Sequence, residues 1–249
     1  MSFSVSWLRQ REPYDHAARS RELAVRFGEA LAPGARVVDL AGGLGSGARF
    51  VAPFLPPGVQ VEVVDHDEAL LAEARRAGLA TRRVDLRAEP LPDADGVHTQ
   101  ALLDLVSHSW LARFAEALLH RPRPLLAALT VDGRVTWSPE HEDDDSVQAA
   151  FRAHQLLDRG FGSSPGPQAA PWLAFALRAG GMQVQVVEAD WQIPATDAAM
   201  VRAMLQGTAE AARVTHEAPE VVDRWLARRL AGPLPSLTVG HLDLLALPR

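Results

Sequence analysis

The sequence predicts an α/β protein with a mostly parallel sheet and helices on both faces. Short apolar runs such as "RVVDL" and "VQVEVVD" have the length and composition of buried strands. In the first half of the chain, most of these runs are followed by a segment whose apolar residues recur at helical spacing. This alternation is typical of β-α-β units, in which helices cover a parallel sheet. The 249 residues suit one such domain with insertions.

The elements of the first half follow in order. An amphipathic pattern in "YDHAARSRELAVRFGEAL" predicts one helix before the first strand, "RVVDL". A helix opened by "GARFVAPFL" ends at two prolines, and the second strand, "VQVEVVD", ends at Asp65. The helix "DEALLAEARRAG" has a glycine stop at Gly78. "TRRVDL" is the third strand and "DGVHTQALL" contains the fourth, after which Ser109 is a candidate N-cap for "SWLARFAEALL".

The second half is less regular. "RPLLAALTVDGRVTW" carries a fifth strand, and Asp145 or Ser146 is placed to cap a helix over about Val147–Arg159. The glycine- and proline-rich loop "GFGSSPGP" follows. The remaining predicted elements are the helix "QAAPWLAFALRAGG", the strand "MQVQVVEADW", helices over roughly Thr196–His216 and Pro219–Ala231, and the last strand "SLTVGHLDLLALP". We therefore predict one domain, residues 1–249, with cap insertions over about 138–167 and 191–235.

The composition excludes several kinds of chemistry. All 25 basic residues are arginine, so a Schiff-base lysine and a P-loop lysine are both excluded. The absence of cysteine excludes thiol nucleophiles and thiolate zinc sites. A formal net charge of -6 disfavours a nucleic-acid partner. With no apolar signal core and no stretch long enough to span a bilayer, we expect a cytoplasmic protein without membrane contact.

A glycine-rich loop after the first strand predicts a nucleotide-like ligand. In "VVDLAGGLGSGARF", Asp39 ends the strand and is placed to accept hydrogen bonds from the loop or from a ligand amine. The loop glycines allow close ligand approach, and the helix from about Ser46 offers free N–H groups. Twenty residues past Gly45, Asp65 is placed to bind ribose hydroxyls.

These residues resemble the class I S-adenosylmethionine (SAM)-dependent methyltransferases. That family's first motif, an acid followed by a Gly-x-Gly-x-Gly loop, is matched by "DLAGGLG", residues 39–45, with Ala41 at the first glycine position. The resemblance implies a Rossmann-like sheet of seven strands whose antiparallel last strand is "LTVGHLDLLALP". It also implies SAM as the cofactor and a small-molecule methyl acceptor.

The resemblance assigns the cofactor-binding residues. Asp65 would hold the ribose, His66 would flank the adenine, and Asp85 in "VDL" would meet the adenine amino group. "REPYDHAAR" resembles a segment that closes over the cofactor, which makes residues 1 to about 30 a lid. Tyr14 and Arg19 would then meet the cofactor carboxylate. The full predicted set is Tyr14, Arg19, Asp39, Ala41, Gly42, Gly43, Gly45, Asp65, His66, Asp85, Leu86, Thr99, Gln100 and Ala101, the last three beside the sulfonium.

Other interpretations of the same residues stay open. Residues 43–48, "GLGSGA", match the dinucleotide pattern G-x-G-x-x-A, so a NAD(P)-dependent oxidoreductase is an alternative. A SAM-binding enzyme that performs a displacement other than methylation is another. At the level of single residues, Asp39 is also suited to capping the loop, Asp65 to capping a helix and Asp85 to a turn. Tyr14 and Arg19 also fit the surface of a helix.

Methyl transfer needs alignment of the acceptor and, for some acceptors, a group that takes up a proton. Asp104, His108 and His154 are the candidate catalytic residues, although His154 also fits an apolar helix face. We expect one enclosed pocket bounded by Tyr14, the 101–108 segment, the helix carrying His154 and the loop "GFGSSPGP". "HEDDD" is interpreted as an acidic turn before a helix, so no metal site is predicted.

Overall fold

Eight strands form one sheet in the computed structural model, which describes residues 3–249. The strands are β1 (Arg36–Leu40), β2 (Gln60–Asp65), β3 (Ala80–Arg83), β4 (Gly96–Gln100), β5 (Leu125–Ser138), β6 (Gln183–Glu188), β7 (Trp191–Ile193) and β8 (Ser236–Leu247). The helices are α1 (Val5–Ala18), α2 (Arg21–Glu29), α3 (Ser46–Val51), α4 (Glu68–Arg76), α5 (His108–His120), α6 (Asp144–Gln155), α7 (Ala169–Ala179), α8 (Ala198–Thr215) and α9 (Pro219–Ala231).

The strand order is β3-β2-β1-β4-β5-β8-β6, and β7 also pairs with β8. Strands β1 to β5 pair in parallel, whereas β8 is antiparallel to β5, β6 and β7. Helices lie on both faces: α5 and α7 pack with the apolar cluster on one face, and α2 packs with the cluster on the other. The predicted mostly parallel sheet with an antiparallel last strand is therefore confirmed.

The predicted sixth strand divides into two, which gives eight strands where seven were expected. Pairing with β8 runs to Glu188 and resumes at Trp191. Between them, an Asp190 carboxylate oxygen accepts the backbone N–H of His241 at 3.1 Å and also pairs with Arg134. The Asp190 side chain thus takes the place of a backbone hydrogen bond to β8, and the strand is interrupted there.

Strands β5 and β8 extend beyond the parallel part of the sheet as a ribbon, and β7 pairs with the other edge of β8 there. Their register shifts between Ala127 and Thr130 and between Val131 and Val135. Leu129 has φ 55° at the first shift, and an Asp243 carboxylate oxygen accepts its N–H at 2.7 Å. The ribbon carries what we call the cap, formed by β7, α6, α8 and α9, whose core includes Trp137 and Trp225 with ring centroids 5.8 Å apart.

Three predicted helix boundaries are wrong. The N-terminal helix is two helices, because Ser20 caps α2 through its hydroxyl and donates its backbone N–H to Asp243. Ser107, not Ser109, caps α5 by accepting the N–H of Trp110 at 3.2 Å, so the helix begins two residues earlier. Helix α6 begins at Asp144 and ends at Gln155. Within residues 3–249, no helix combines the length and apolar character needed to cross a membrane.

Candidate functional site

A pocket opens at the carboxyl ends of β1, β2 and β4, where ligands bind in open α/β sheets. It encloses about 1190 Å³ when the space at its mouth is included. Its residues come from α1, the glycine loop, the ends of β2 and β4, the segment after β3, and the loop after α6. Of the predicted cofactor residues, those that line it are Ala41, Gly42, Gly43, Asp65, His66, Asp85, Leu86, Gln100 and Ala101.

The glycine loop has a fixed backbone shape. Ala41, Gly43 and Gly45 have φ of 51°, 53° and 77°, a region that favours glycine. The N–H of Gly42 donates to the carbonyl of Val64 at 3.1 Å, which joins the loop to β2. Ala41, which stands where the resembling motif has its first glycine, adopts the left-handed conformation.

Asp65 connects the end of β2 to the glycine loop. One of its carboxylate oxygens accepts the N–H of Gly43 at 3.0 Å, and the other accepts the N–H of Asp67 at 2.9 Å. The Asp65 side chain is 7% exposed and lines the pocket. The exposed His66 ring lies 3.1 Å from it. A buried carboxylate at this place is suited to accepting hydrogen bonds from sugar hydroxyls.

Asp85 stands at the pocket rim in an ion pair with Arg87. The Arg87 guanidinium donates to both carboxylate oxygens at 2.8 and 2.6 Å. These bonds lower the pKa of Asp85 to about 2. The neighbouring Leu86 is held by the indole N–H of Trp110, which donates to the Leu86 carbonyl at 2.8 Å. Val84 and Asp85 follow β3 as irregular chain, whereas the sequence pattern placed them inside the strand.

Three predicted cofactor residues lie behind the pocket wall. Asp39 is fully buried, with one oxygen 2.6 Å from His98 Nδ1 and the other accepting the N–H of Ala48 at 3.1 Å. The Thr99 hydroxyl donates to the carbonyl of Leu40 at 3.0 Å. Gly45 packs against Leu79. These residues shape the loop, and the structure does not bring them to the pocket surface.

Arg19 is also not among the residues that line the pocket, and its contact with a ligand carboxylate stays a prediction. Its side chain is fully buried and donates to the carbonyl and hydroxyl of Ser46, at 3.3 and 3.1 Å, and to the side chain of Gln100. Burial lowers the pKa of Arg19. The residues of α1 that do line the pocket are Leu8, Arg11 and Asp15, and the last two form an ion pair at 3.1 Å. The i, i+4 spacing of residues 11, 15 and 19 was the signal that sequence reasoning missed.

Tyr14 joins the N-terminal helix to the cap. Its hydroxyl donates to the Asp197 carboxylate at 2.6 Å, and Asp197 also caps α8 by accepting the N–H of Met200. Burial and then the Asp197 hydrogen bond raise the pKa of Tyr14 to about 12. Tyr14 does not line the pocket, and its contact with a ligand carboxylate stays a prediction. The Tyr14–Asp197 hydrogen bond forms a latch between α1 and α8.

Asp104 is a buried acid beside the pocket. It is 7% exposed, and its Oδ1 has no hydrogen-bond partner among residues 3–249. Burial raises its pKa to about 6, although Arg11 and Arg159 act in the opposite direction. Ala101, Leu102 and Leu105, which flank it in the chain, line the pocket.

Like Asp104, the two candidate histidines are not among the residues that line the pocket. His108 is exposed at the start of α5 and packs edge-on against Trp172, with ring centroids 4.4 Å apart. His154 is half-buried in α6, and its Nδ1 accepts a hydrogen bond from Arg159 at 3.0 Å. Burial lowers the pKa of His154. Arg159 lines the pocket together with Phe161 from "GFGSSPGP", so His154 contributes by holding Arg159.

The acidic segment before α6 forms ion pairs. In the described part of the chain, His141, Glu142 and Asp143 place three potential metal-ligand atoms within 4.8 Å. Arg228 pairs with Glu142 at 2.5 Å and with Asp143 at 3.6 Å. Asp144, at the start of the helix, accepts from Trp225 Nε1 at 2.7 Å and pairs with Arg229. The segment therefore fastens α6 to α9.

No protein-family model matches the sequence, and no curated protein is significantly similar to it. Solved structures are similar in fold. A candidate methyltransferase from Bacillus halodurans C-125 superposes with a TM-score of 0.52 at 17% identity, covering 92% of this chain and 100% of its own. A chain of the Haloferax volcanii complex between the Trm112 methyltransferase activator and a candidate methyltransferase gives a TM-score of 0.50 at 19% identity, covering 98% and 95%. The chain has the Rossmann-like methyltransferase fold.

Proposed function

We propose that this chain is a class I SAM-dependent methyltransferase that acts on a small-molecule acceptor, with all 249 residues forming one domain. One observation carries the proposal: the glycine loop, Asp65 and Asp85 lie at or just beyond the carboxyl ends of the neighbouring strands β1, β2 and β3, and they line one pocket. A SAM molecule can lie across these strand ends, with its ribose at Asp65 and its adenine at Asp85. An oxidoreductase is less well supported, because the resemblance to the methyltransferases accounts for Asp39 ahead of the loop and for Asp85 as well as for the glycine loop and Asp65.

The residues at the pocket fit an adenosyl group. The buried carboxylate of Asp65 faces the pocket and is suited to accepting hydrogen bonds from ribose hydroxyls. The apolar side chains of Leu70, Val84 and Leu86 also line the pocket and offer a surface to a base. Gln100, the last residue of β4, and the following Ala101 also line the pocket, which supports their proposed position beside the reacting end. SAM, when bound, supplies an electrophilic methyl group on a sulfonium.

Some acceptors must also lose a proton when they are methylated, and we propose Asp104 as the group that takes it up. Its Oδ1 is buried without a hydrogen-bond partner among residues 3–249, and Leu102 and Leu105, close to it in the chain, line the pocket. A pKa of about 6 leaves the group largely ionised at neutral pH and still basic enough to accept a proton. Arg11 and Arg159 line the same region and offer guanidinium groups that orient an acceptor.

The acceptor is proposed to be small because chain closes over the pocket from two sides. Helix α1 contributes Arg11 and Asp15, and the loop after α6 contributes Arg159 and Phe161. A folded macromolecule would need these segments to separate. The net charge of -6 also disfavours a nucleic acid.

Ligand titrations test the cofactor. We expect S-adenosylhomocysteine to raise the thermal midpoint and to bind in calorimetry, because a ligand selective for the native state stabilises it. NAD and NADP should have no effect. Binding of NAD without binding of S-adenosylhomocysteine would refute the proposal in favour of an oxidoreductase.

A product assay separates methylation from other displacements. With methyl-labelled SAM and a mixture of small amines, phenols and carboxylic acids, we expect label in an acceptor and formation of S-adenosylhomocysteine. If the label stays with methylthioadenosine, the displacement occurs at another carbon of SAM and methylation is excluded.

A further inference from the structure

A histidine and an aspartate form a buried pair directly behind the glycine loop. Asp39 of β1 and His98 of β4 are register partners in the parallel sheet, so their side chains lie on the same face. His98 Nδ1 is 2.6 Å from one carboxylate oxygen of Asp39, and both side chains are fully buried. A charge-assisted hydrogen bond of this length in a water-free site fixes the carboxylate strongly.

The second oxygen of Asp39 holds the first turn of α3. It accepts the N–H of Ala48 at 3.1 Å. The residue at the N-cap position of α3 is Gly45, which has no side chain to accept this bond. Asp39 therefore supplies the cap from the neighbouring strand, and each of its oxygens has a protein partner.

The loop backbone is built in contact with this pair. A Cβ atom added at Gly42 would lie 2.5 Å from an Asp39 carboxylate oxygen. A Cβ atom added at Gly47 would lie 2.4 Å from Cε1 of His98. Such contacts leave no space for a side chain. Two glycines of "GGLGSG" are therefore required by Asp39 and His98, independently of any ligand.

The surroundings indicate which nitrogen of His98 carries the proton. His98 Nε2 is buried and has no hydrogen-bond partner in the described chain. A proton on Nδ1 satisfies Asp39 and leaves Nε2 as a bare lone pair, which costs less than an unpaired buried N–H. The charged groups that interact with the pair are Arg19, at the end of α1, and Asp243 of β8.

We infer that His98 is a positioning residue of the cofactor site, which acts by holding Asp39 and, through it, the glycine loop. This inference rests on the proposed function, because it treats the loop as the SAM site. His98 itself lies outside the pocket, so its substitution changes ligand affinity only through Asp39 and the loop backbone.

Calorimetry with S-adenosylhomocysteine tests the inference on five proteins. They are the wild type, His98→Ala, His98→Asn, Asp39→Asn and the double variant His98→Ala/Asp39→Asn. We expect His98→Ala to weaken binding by about tenfold or more, because a buried carboxylate loses its donor. His98→Asn keeps an N–H near the position of Nδ1 and should recover most of the affinity. In the Asp39→Asn background, His98→Ala should add little further loss.

Leu118→Ala is the matched control. Leu118 is fully buried in α5, so truncation destabilises the fold without touching the loop, and affinity should not change. Equal weakening by His98→Ala and His98→Asn, or additive losses in the double variant, would overturn the inference.

A ligand-free measurement separates this inference from the proposed function. In ¹⁵N-histidine NMR of the wild type, we expect His98 to show a protonated Nδ1 with a strongly downfield proton and an unprotonated Nε2. The signal should move in Asp39→Asn. A protonated Nε2 with a bare Nδ1 would refute the pairing, whatever the ligand. If the NMR result holds and the wild type does not bind S-adenosylhomocysteine, only the proposed function fails.

Discussion

Replacing Asp65 with alanine should weaken S-adenosylhomocysteine binding while leaving the protein folded. The carboxylate is 7% exposed on its side chain, lines the pocket and accepts the loop N–H of Gly43 at 3.0 Å. Hydrogen bonds to a charged acceptor contribute about 1.5–3 kcal/mol each, and water replaces part of that in the variant. We expect a net loss of about 1.5–3 kcal/mol, which is a dissociation constant about 10- to 150-fold larger.

Asp65→Asn should have a smaller effect than Asp65→Ala, and Asp67→Ala is the control. Asp65→Asn keeps the shape and one acceptor oxygen, so its loss should be about half that of alanine in free energy. Asp67 caps α4 by accepting the N–H of Ala69 at 2.8 Å and does not line the pocket. Asp67→Ala should cost about 0.5–2 kcal/mol in the free energy of unfolding with no change in affinity. Calorimetry gives the affinities and urea titration gives the stabilities. Unchanged affinity in Asp65→Ala would show that Asp65 only anchors the loop.

Three further substitutions test the buried polar groups. In Asp104 the folded pKa of about 6 exceeds the unfolded value of about 3.9, so the ionised group destabilises the fold above about pH 6. Asp104→Asn should therefore raise the free energy of unfolding by about 2–3 kcal/mol at pH 8 and by little near pH 4, as measured by urea titration. Equal increases at the two pH values would contradict burial as the cause. Tyr14→Phe removes the 2.6 Å bond to Asp197 and should speed amide exchange in α1 by about tenfold, with core strands unaffected; unchanged exchange would mean that the bond is no latch. Asp144→Ala leaves Arg229 buried without its carboxylate and should cost about 3–5 kcal/mol in chemical unfolding, so a loss under about 1 kcal/mol would refute a structural role for the pair.

Most strands of the sheet could be predicted from the sequence, because they are apolar runs that end at glycine, proline or acidic residues. "RVVDL" matches β1 and the helix prediction Pro219–Ala231 matches α9 residue for residue. The boundaries that failed depend on tertiary contacts. Ser20 starts a new helix because Asp243, far away in sequence, accepts its N–H. The division of the sixth strand depends on Asp190 and its partner in β8.

Pocket-lining residues could be predicted from the sequence where they lie at the carboxyl end of a strand. The sequence does not show which side chains turn away from the pocket. Asp65 and Asp85 line it because the carboxyl ends of parallel strands meet at one edge. The direction of Arg19 depends on the angle between α1 and α3, which the sequence pattern does not contain. His98 is the one ionisable residue within β4, "GVHTQ", and a buried partner could have been sought for it on a neighbouring strand.

Ala41 has a consequence for the kinetics of ligand entry. At φ 51° it holds a conformation that costs an alanine about 1 kcal/mol relative to glycine, and the surrounding structure imposes it. That cost is met during folding, so the loop is preorganised and an arriving ligand does not have to reshape it. We predict that the slow step of association is the separation of α1 from the cap, where Tyr14 contacts Asp197. On-rates should follow the opening of that latch, and substitutions within the loop should change mainly the off-rate.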